Sequence, residues 1–374
     1  MQYRRFGKTE MNLSVFTLGL MRYMSDDPDR SARVVQRAVQ LGINHLETAR
    51  GYGNSEDLLG HALKTIDRSK VHITTKVSPR KTYDEFMRTF ETSMTRMGID
   101  VLDNLDLHGI NNERKFRWAV QKKGTWRAVR KLMDAGTVKH IGFSTHGKTD
   151  LILQTVNTEM FESINLHYYW FHQVHEPVLP RAAQLDMGVL IISPNEKGGM
   201  LFKPPEVLRR LSGTFHPMNL NQRWLLSDSR IHTLALGPAV PEELDQHMAV
   251  ADNVGPLTDQ ERAALNRWDH VLHEKLGPDF CTQCQKCLPC PQFIDIPEIL
   301  RLRNLAVGLD MTDYGSFRYD LLDGSDDWFH GWPADHCTEC GRCLPRCPEK
   351  LDIPPLLFDA HDLLKTGTGK RLWA

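Results

Sequence analysis

The 374-residue chain has no cysteine before position 281 and none after 347; all eight lie in two short runs. Cysteines this dense in a long chain do not form the disulfide framework of a small secreted domain. Long apolar stretches are also missing. The longest, such as Val189–Ile192, are far too short to cross a bilayer, and the opening Met-Gln-Tyr-Arg-Arg-Phe-Gly-Lys lacks the apolar segment of a secretory leader. Charge of one sign is absent as a block: Lys plus Arg number 46 against 47 Asp plus Glu, so nothing points to nucleic acid. Low-complexity stretches are few and 41% of residues are hydrophobic, which suits a folded protein of more than one module with no membrane span.

What is present begins with the cysteines. The second run, Cys337-Thr-Glu-Cys340-Gly-Arg-Cys343-Leu-Pro-Arg-Cys347-Pro348, reads C-x₂-C-x₂-C-x₃-C-P, the spacing that binds a [4Fe-4S] cluster in bacterial ferredoxins. The first run, Cys281-Thr-Gln-Cys284-Gln-Lys-Cys287-Leu-Pro-Cys290-Pro291, has two residues rather than three before its last cysteine. Three thiolates two residues apart wrap one cubane in a tight loop, while the fourth points elsewhere and, in two-cluster ferredoxins, ligates the other cluster. Two [4Fe-4S] clusters are therefore expected, one on Cys281, Cys284, Cys287 and Cys347, the other on Cys337, Cys340, Cys343 and Cys290. Structural zinc is the alternative, because two C-x₂-C pairs can make a Cys₄ site; two complete runs, each closed by Cys-Pro, argue against it. Oxygen-sensitive clusters favour the reducing cytoplasm.

From the N-terminus to about His270, short apolar runs alternate with longer helical patterns, which predicts a parallel sheet. Strands are expected near Phe16–Gly19, Ile43–Leu46, Val71–Thr75, Asn104–Leu107, His140–Phe143, Phe161–Asn165, Val189–Ile192 and Thr233–Leu236. Eight such units suggest a (β/α)₈ TIM barrel. Helical periodicity is clear in Ser31–Leu41, where Val34, Val35, Ala38 and Leu41 share a face and Gly42 closes the helix. Glu56–Ala62 and Thr82–Met97 follow the same pattern. Val271–Phe280, with Gly277-Pro278, reads as the exit segment, dividing a barrel over 1–275 from a small, mostly α-helical ferredoxin-like domain over 276–374. Beyond it, Pro-started helices are expected at Ile296–Ala306 and Leu351–Leu364, with a loop rich in Asp, Gly and Trp after the first.

Glu47, Tyr52, Lys76 and His108 fall at or just past the C-terminal ends of successive expected strands, where barrel active sites gather. A tyrosine titrates near 10 in water and needs help to trade protons at neutrality; a close ammonium favours tyrosinate, and a carboxylate pairs and orders that ammonium. The stretch Gly42-Ile-Asn-His-Leu-Glu47-Thr48-Ala-Arg-Gly-Tyr52-Gly53-Asn-Ser-Glu56-Asp-Leu-Leu-Gly60 resembles the signature of the aldo/keto reductase superfamily. The resemblance continues through Ile73-Thr-Thr-Lys76-Val, Leu105-Asp-Leu-His108, Gly136–Ser144, Gly188–Pro194 and Leu236-Gly237. With the cysteine runs, the chain resembles the subgroup of these reductases that carries a C-terminal ferredoxin-like domain.

That resemblance implies a barrel that reduces carbonyls with NAD(P)H, Tyr52 as general acid, Lys76 tuning it and His108 orienting or polarising the carbonyl. Glu47 stands where the family has aspartate, which keeps the charge and lengthens its reach. Ser144, Thr145 and Asn165 take the positions that hold the nicotinamide amide. Ser193 and the Gly198-Gly199-Met200-Leu201 loop take those of the pyrophosphate, and Gly237 and Gln246 lie in the segment that meets the far end of the dinucleotide. Ile192 replaces a tyrosine that stacks on the nicotinamide, and no Arg or Lys occupies Leu236–His247, so a preference for NADP is unsupported. The loop His167-Tyr-Tyr-Trp-Phe-His172-Gln-Val-His175-Glu176 offers histidines and a carboxylate to a metal, or an aromatic lining to a substrate pocket.

Three readings of function follow. In the first, the barrel is an oxidoreductase acting on a small carbonyl or alcohol, and the clusters pass single electrons to or from a carrier protein. In the second, the barrel has lost nicotinamide chemistry and the chain is an electron-transfer or ligand-binding protein. In a third arrangement the clusters are structural staples beside an ordinary reductase.

Overall fold

Each of the eight expected apolar runs forms a strand. In the computed structural model, which describes residues 1–23, 27–196 and 200–366, a hairpin of β1 (Tyr3–Arg5) and β2 (Asn12–Ser14) precedes the barrel. There follow β3 (Phe16–Gly19), β4 (His45–Glu47), β5 (His72–Val77), β6 (Leu102–Leu107), β7 (Val138–Ser144), β8 (Ser163–Leu166), β9 (Gly188–Ile191) and β10 (Thr233–Leu236). They run in order around a closed parallel barrel, with β10 pairing back onto β3. Strands in such a barrel are covered on both faces, and β6 is buried at every position, its Asp103, Asn104 and Asp106 included. Strand ends lie within a few residues of expectation; Ile43 and Asn44 precede β4, which carries Glu47 as its last residue.

The hairpin was not expected, since two three-residue strands are too short to show an alternating pattern. Gly7, at φ +56°, makes it possible: a Cβ there would sit 2.4 Å from the Asp186 carbonyl oxygen and the Gly188 nitrogen. Phe6, Met11 and Leu13 then pack with Leu190 as a separate apolar cluster.

Helix boundaries follow local capping chemistry. The helix Tyr83–Met97 opens on a capping box between Thr82 and Glu85 and closes at Gly98 with φ +63°. Pro28–Gln40 starts from Asp27, whose side chain accepts from the Arg30 nitrogen, three residues ahead of the expected start.

The chain divides into two compact units, Met1–Pro194 with Asn221–Pro256, and Asn195–Leu220 with the chain from Leu257 onward. In the second unit Val271–Leu276 is the end of a long helix, Asp259–Leu276, and not an exit segment; its capping box at Thr258 and Glu261 fixes a start that carries it through Val271. Trp268 donates from Nε1 to Ser212 Oγ at 3.0 Å. The next helix reaches Leu309, and the stretch expected as loop contains a further helix, Thr312–Tyr319. Its Tyr314 and Tyr319 are buried, which supplies the tertiary packing a short helix needs. At the centre lies Arg301, 1% exposed. It donates to Glu196 at 2.5 Å and to both Glu298 oxygens at 2.8 and 2.9 Å, while the Tyr314 hydroxyl donates to Glu196 at 2.9 Å.

Candidate functional site

The barrel brings Glu47, Tyr52, Lys76 and His108 together. Glu47 ends β4, Lys76 is the penultimate residue of β5, and His108 follows β6 directly. Tyr52 sits on the turn after β4, where its nitrogen donates to the Ala49 carbonyl at 3.0 Å. Glu47 and Lys76 form a buried ion pair, so the longer acidic side chain still meets its partner. The Lys76 ammonium also donates to the Thr48 carbonyl at 3.0 Å and lies 4.8 Å above the centre of the Tyr52 ring. The Tyr52 and His108 rings meet edge to face, 5.5 Å apart.

A fifth residue belongs here that sequence reasoning passed over. Asp106, fully buried, is the register partner of Lys76 on the adjacent strand, so both side chains leave the same face of the sheet. Its two oxygens accept from Asn104 Nδ2 and Asn165 Nδ2, each at 2.8 Å. The available signal was a carboxylate inside an otherwise apolar strand of a doubly covered sheet, a position that costs free energy unless it is hydrogen-bonded.

Burial and Asp106 set the electrostatics. Burial lowers the Lys76 ammonium to about 7, with Asp106 pulling the other way. Burial raises the Asp106 carboxyl to about 6, opposed by Lys76 and the two asparagine amides. The Tyr52 phenol is pushed up, first by burial and then by the Asp106 charge. A close ammonium by itself favours tyrosinate; here the enclosed setting and a second carboxylate outweigh it, and Tyr52 keeps its proton at neutral pH. His108 is driven well below the usual histidine value by burial, then by Lys76, His146 and Lys115, and is a neutral imidazole.

The expected dinucleotide positions are less uniform. Ser144 is buried and its hydroxyl accepts from the Gly109 nitrogen at 3.1 Å, next to His108. The Thr145 hydroxyl donates to the Ile110 carbonyl at 2.8 Å and accepts from the Gly147 nitrogen at 2.9 Å, and Asn165 donates to Asp106. All three expected amide-holding side chains are thus already engaged within the protein, Ser144 as an acceptor only. Ser193, Gly237 and Gln246 are exposed, and Gly198 lies outside the described residues. Two arginines from elsewhere in the chain approach the segment that lacks a basic residue of its own: Arg22 donates to the Gly237 carbonyl at 3.0 Å and Arg30 to the Ala239 carbonyl at 3.1 Å. Sequence offers no signal for them, because only barrel closure brings residues 22 and 30 beside residues 237–239.

In the histidine-rich loop, His167 Nε2 lies 3.2 Å from His146 Nε2. The Tyr169 hydroxyl reaches His167 Nδ1 at 3.3 Å, and Thr149 reaches His175 Nδ1 at 3.0 Å. His167, His172 and His175 are buried. Among the described residues no group of three or more His, Cys, Asp or Glu side chains is arranged to hold a single metal ion.

The second unit gathers the cysteines. Cys287, Cys290, Cys337, Cys340 and Cys343 all line one cavity, together with Pro354 and Leu357. Burial raises the Cys343 thiol, and Cys337, Cys340 and Cys290 add to it. Burial likewise pushes Cys281 to about 11, with Cys284 and Cys347 adding their charges. The last cysteine of each run therefore keeps company with the other run. A cubane holds its ligand sulfurs apart around an Fe₄S₄ body, so thiols gathered from both runs around one cavity fit that group.

The chain matches the model of the aldo/keto reductase family over residues 16–270 and that of a 4Fe-4S dicluster domain over residues 280–351. An aldo-keto reductase of Mycobacterium sp. (strain JLS) is 27% identical over 266 residues, covering 67% of this chain and 88% of that protein. Two solved structures share the fold. An aldo-keto reductase from Bacillus halodurans in its holo form has 22% identity and a TM-score of 0.62, over 71% of this chain and 96% of that one. An aldo-keto reductase from Klebsiella pneumoniae in complex with NADPH has 21% identity and a TM-score of 0.59, over 71% and 94%. With the barrel, the buried Glu47–Lys76 pair under Tyr52 and the family match over most of its length in view, the chain belongs to the aldo/keto reductase family and is an oxidoreductase that carries a 4Fe-4S domain.

Proposed function

We propose that the barrel interconverts a small carbonyl and its alcohol with a nicotinamide cofactor, and that the cysteine-bearing domain exchanges single electrons with a carrier protein through two [4Fe-4S] clusters. The observation that carries the first half is the convergence of Tyr52, Lys76, His108 and Glu47 at the C-terminal ends of three adjacent strands. A bound nicotinamide supplies or takes the hydride at the carbonyl carbon, and the clusters move one electron at a time. Tyr52 holds the proton that the carbonyl oxygen gains on reduction. Lys76, anchored by Glu47 and the Thr48 carbonyl, fixes the field over the phenol ring. Neutral His108, packed against Tyr52, orients the carbonyl oxygen.

The NADPH bound to the Klebsiella reductase supports nicotinamide binding; Ser144, Asn165, Ser193, Gly237 and Gln246 are the contacts proposed for it, with Thr145 and Gly198. For the clusters, the closeness of Cys290 to Cys337, Cys340 and Cys343 and that of Cys347 to Cys281 and Cys284 support the crossed ligand sets, Cys281, Cys284, Cys287 and Cys347 forming the other. The functional division proposed is 1–275 for carbonyl chemistry and 276–374 for electron transfer. The prior engagement of Thr145 and Asn165, together with Ile192, favours the competing reading of a barrel without nicotinamide chemistry. Anaerobic titration of the cluster-loaded protein with NADH and NADPH separates them: binding with carbonyl turnover is expected, and failure of both nucleotides to bind would sink the reductase reading. Cluster absorbance in the same titration reports electron coupling.

A further inference from the structure

A strongly basic cavity opens beside the tetrad. It holds about 800 Å³, water at its mouth included, and is lined by Arg50, Gly51, Ser78, Arg80, Arg88, Thr89 and Thr92. Arg50 and Gly51 immediately precede Tyr52 on the turn after β4, and Ser78 and Arg80 follow Lys76 just past the end of β5. Arg88 projects from the helix Tyr83–Met97. The wall is tied directly to the site: the Arg50 nitrogen donates to the Lys76 carbonyl at 2.9 Å, and a side chain at Gly51 would come within 3.7 Å of the His108 ring.

The charges in this wall are not balanced from within. Arg50 lies 3.9 Å from the buried Glu56, whose other oxygen accepts from Thr75. Arg80 and Arg88 make no side-chain hydrogen bond or ion pair among the described residues. Glu85 feels both, but its carboxylate is held first by the Thr82 hydroxyl and nitrogen. Thr89 and Thr92 turn their hydroxyl hydrogens back onto helix carbonyls, which leaves the Ser78 hydroxyl and the guanidinium forks as donors. Like charges gathered round a concave surface repel one another and focus a positive field. Guanidinium forks match the paired oxygens of carboxylate and phosphate.

We propose that this cavity binds an oxyanion, phosphate or carboxylate, on the far end of a short carbonyl substrate whose reacting group sits at Tyr52. The proposal rests on the carbonyl-reductase reading and names its substrate class. Arg80 and Arg88 grip the anion and Ser78 adds a hydroxyl, so binding energy at the remote charge holds the carbonyl against the phenol.

The test compares kcat/KM for matched aldehydes, one anionic and one neutral, in wild type and in the double variant Arg80→Gln/Arg88→Gln. Glyceraldehyde 3-phosphate against glyceraldehyde forms the phosphate arm; 4-oxobutanoate against butanal forms the carboxylate arm. In wild type the anionic member of at least one arm is expected to be preferred by about 10- to 100-fold, the worth of hydrogen bonds to charged groups. The arm with the larger ratio identifies the anion. In the double variant that ratio should fall toward one, while Arg80→Lys/Arg88→Lys retains part of it. Because each ratio is internal to one preparation, partial misfolding cancels. A wild-type ratio near one in both arms, or a ratio unmoved by the double variant, would overturn the proposal. If no aldehyde of either kind turns over, the reductase reading is what has failed. Calorimetric titration with inorganic phosphate and with acetate then decides the cavity by itself: binding to wild type that the double variant loses supports the anion site, and equal binding or none refutes it.

Discussion

The barrel site and the cysteine region solve the problem of buried charge in opposite ways. In the barrel, Lys76 has Glu47 as its ion-pair partner and Asp106 beside it in strand register, and Asp106 is itself held by two asparagine amides. The site is assembled by the protein's own groups before any ligand arrives. In the cysteine region burial raises the thiols, Cys287 to about 12, and the neighbouring groups that add to the rise are other cysteines and, at Cys281, Glu349. A cluster of iron and sulfide is the counter-charge such thiolates need. The barrel site is therefore preorganised, whereas the cysteine region is a set of ligands completed by what it binds.

That contrast can be broken at several points. The largest effect is expected at Tyr52. Tyr52→Phe removes the proposed proton donor and changes no residue of the second unit, so carbonyl reduction should fall by about 10²- to 10⁴-fold with iron content and cluster absorbance unchanged; retained turnover would remove Tyr52 from its role. Next comes the ion pair at the heart of the second unit. Glu196→Ala leaves Arg301 buried with one acidic partner fewer, and about 3–5 kcal/mol should be lost, read as earlier denaturation of that unit in urea while far-ultraviolet dichroism of the barrel persists. Coincident loss of both signals would show that the units unfold as one.

Cys347→Ser tests the crossing. If Cys347 serves the first run, its loss and that of Cys281 should perturb the same cluster spectrum and remove roughly half the iron; matching spectra for Cys347→Ser and Cys337→Ser would assign it to its own run instead. The smallest effect is a shift along the pH axis. The Asp106 charge raises both Tyr52 and Lys76, so Asp106→Asn should move the alkaline limb of the kcat/KM profile to lower pH, by about one unit. An unmoved limb would separate Asp106 from the tetrad. For stability the sign is the reverse of a salt-bridged carboxylate. Its folded value, raised to about 6, means the native state binds this proton more tightly than the unfolded chain. The stability it contributes is present at low pH and is lost as pH rises from about 4 to about 6; Asp106→Asn should flatten that slope in denaturant titrations.

Much of this was legible before folding. Apolar runs marked all eight barrel strands because a parallel strand covered on both faces is largely apolar, even where, as in β6, it also buries Asp103, Asn104 and Asp106. The cysteine runs declared their ligand type through spacing alone. The tetrad could be named because its stretch resembles the aldo/keto reductase signature and because each member stands at or just past the end of a run, where a barrel presents its loops. What could not be read were relations across long separations. The hairpin at Tyr3–Ser14 exists because Gly7 can approach Asp186–Gly188. Arg22 and Arg30 reach Gly237 and Ala239 only when the last strand closes on the first. The helix Thr312–Tyr319 hid in a polar stretch because its stability comes from burying Tyr314 and Tyr319 rather than from its own periodicity.

The sequence by itself therefore determined the fold class, the four residues that meet at the C-terminal ends of adjacent strands and the eight thiols, since each is written as local spacing, as a family resemblance or as position near a strand end. Only the tertiary structure decided the direction in which Tyr52 is tuned. That depends on how completely the barrel excludes water from the phenol and on a carboxylate that stands 54 residues further along the chain and meets Lys76 only through strand register. Burial and three-dimensional charge placement are properties of the closed barrel, and no stretch of residues carries them alone.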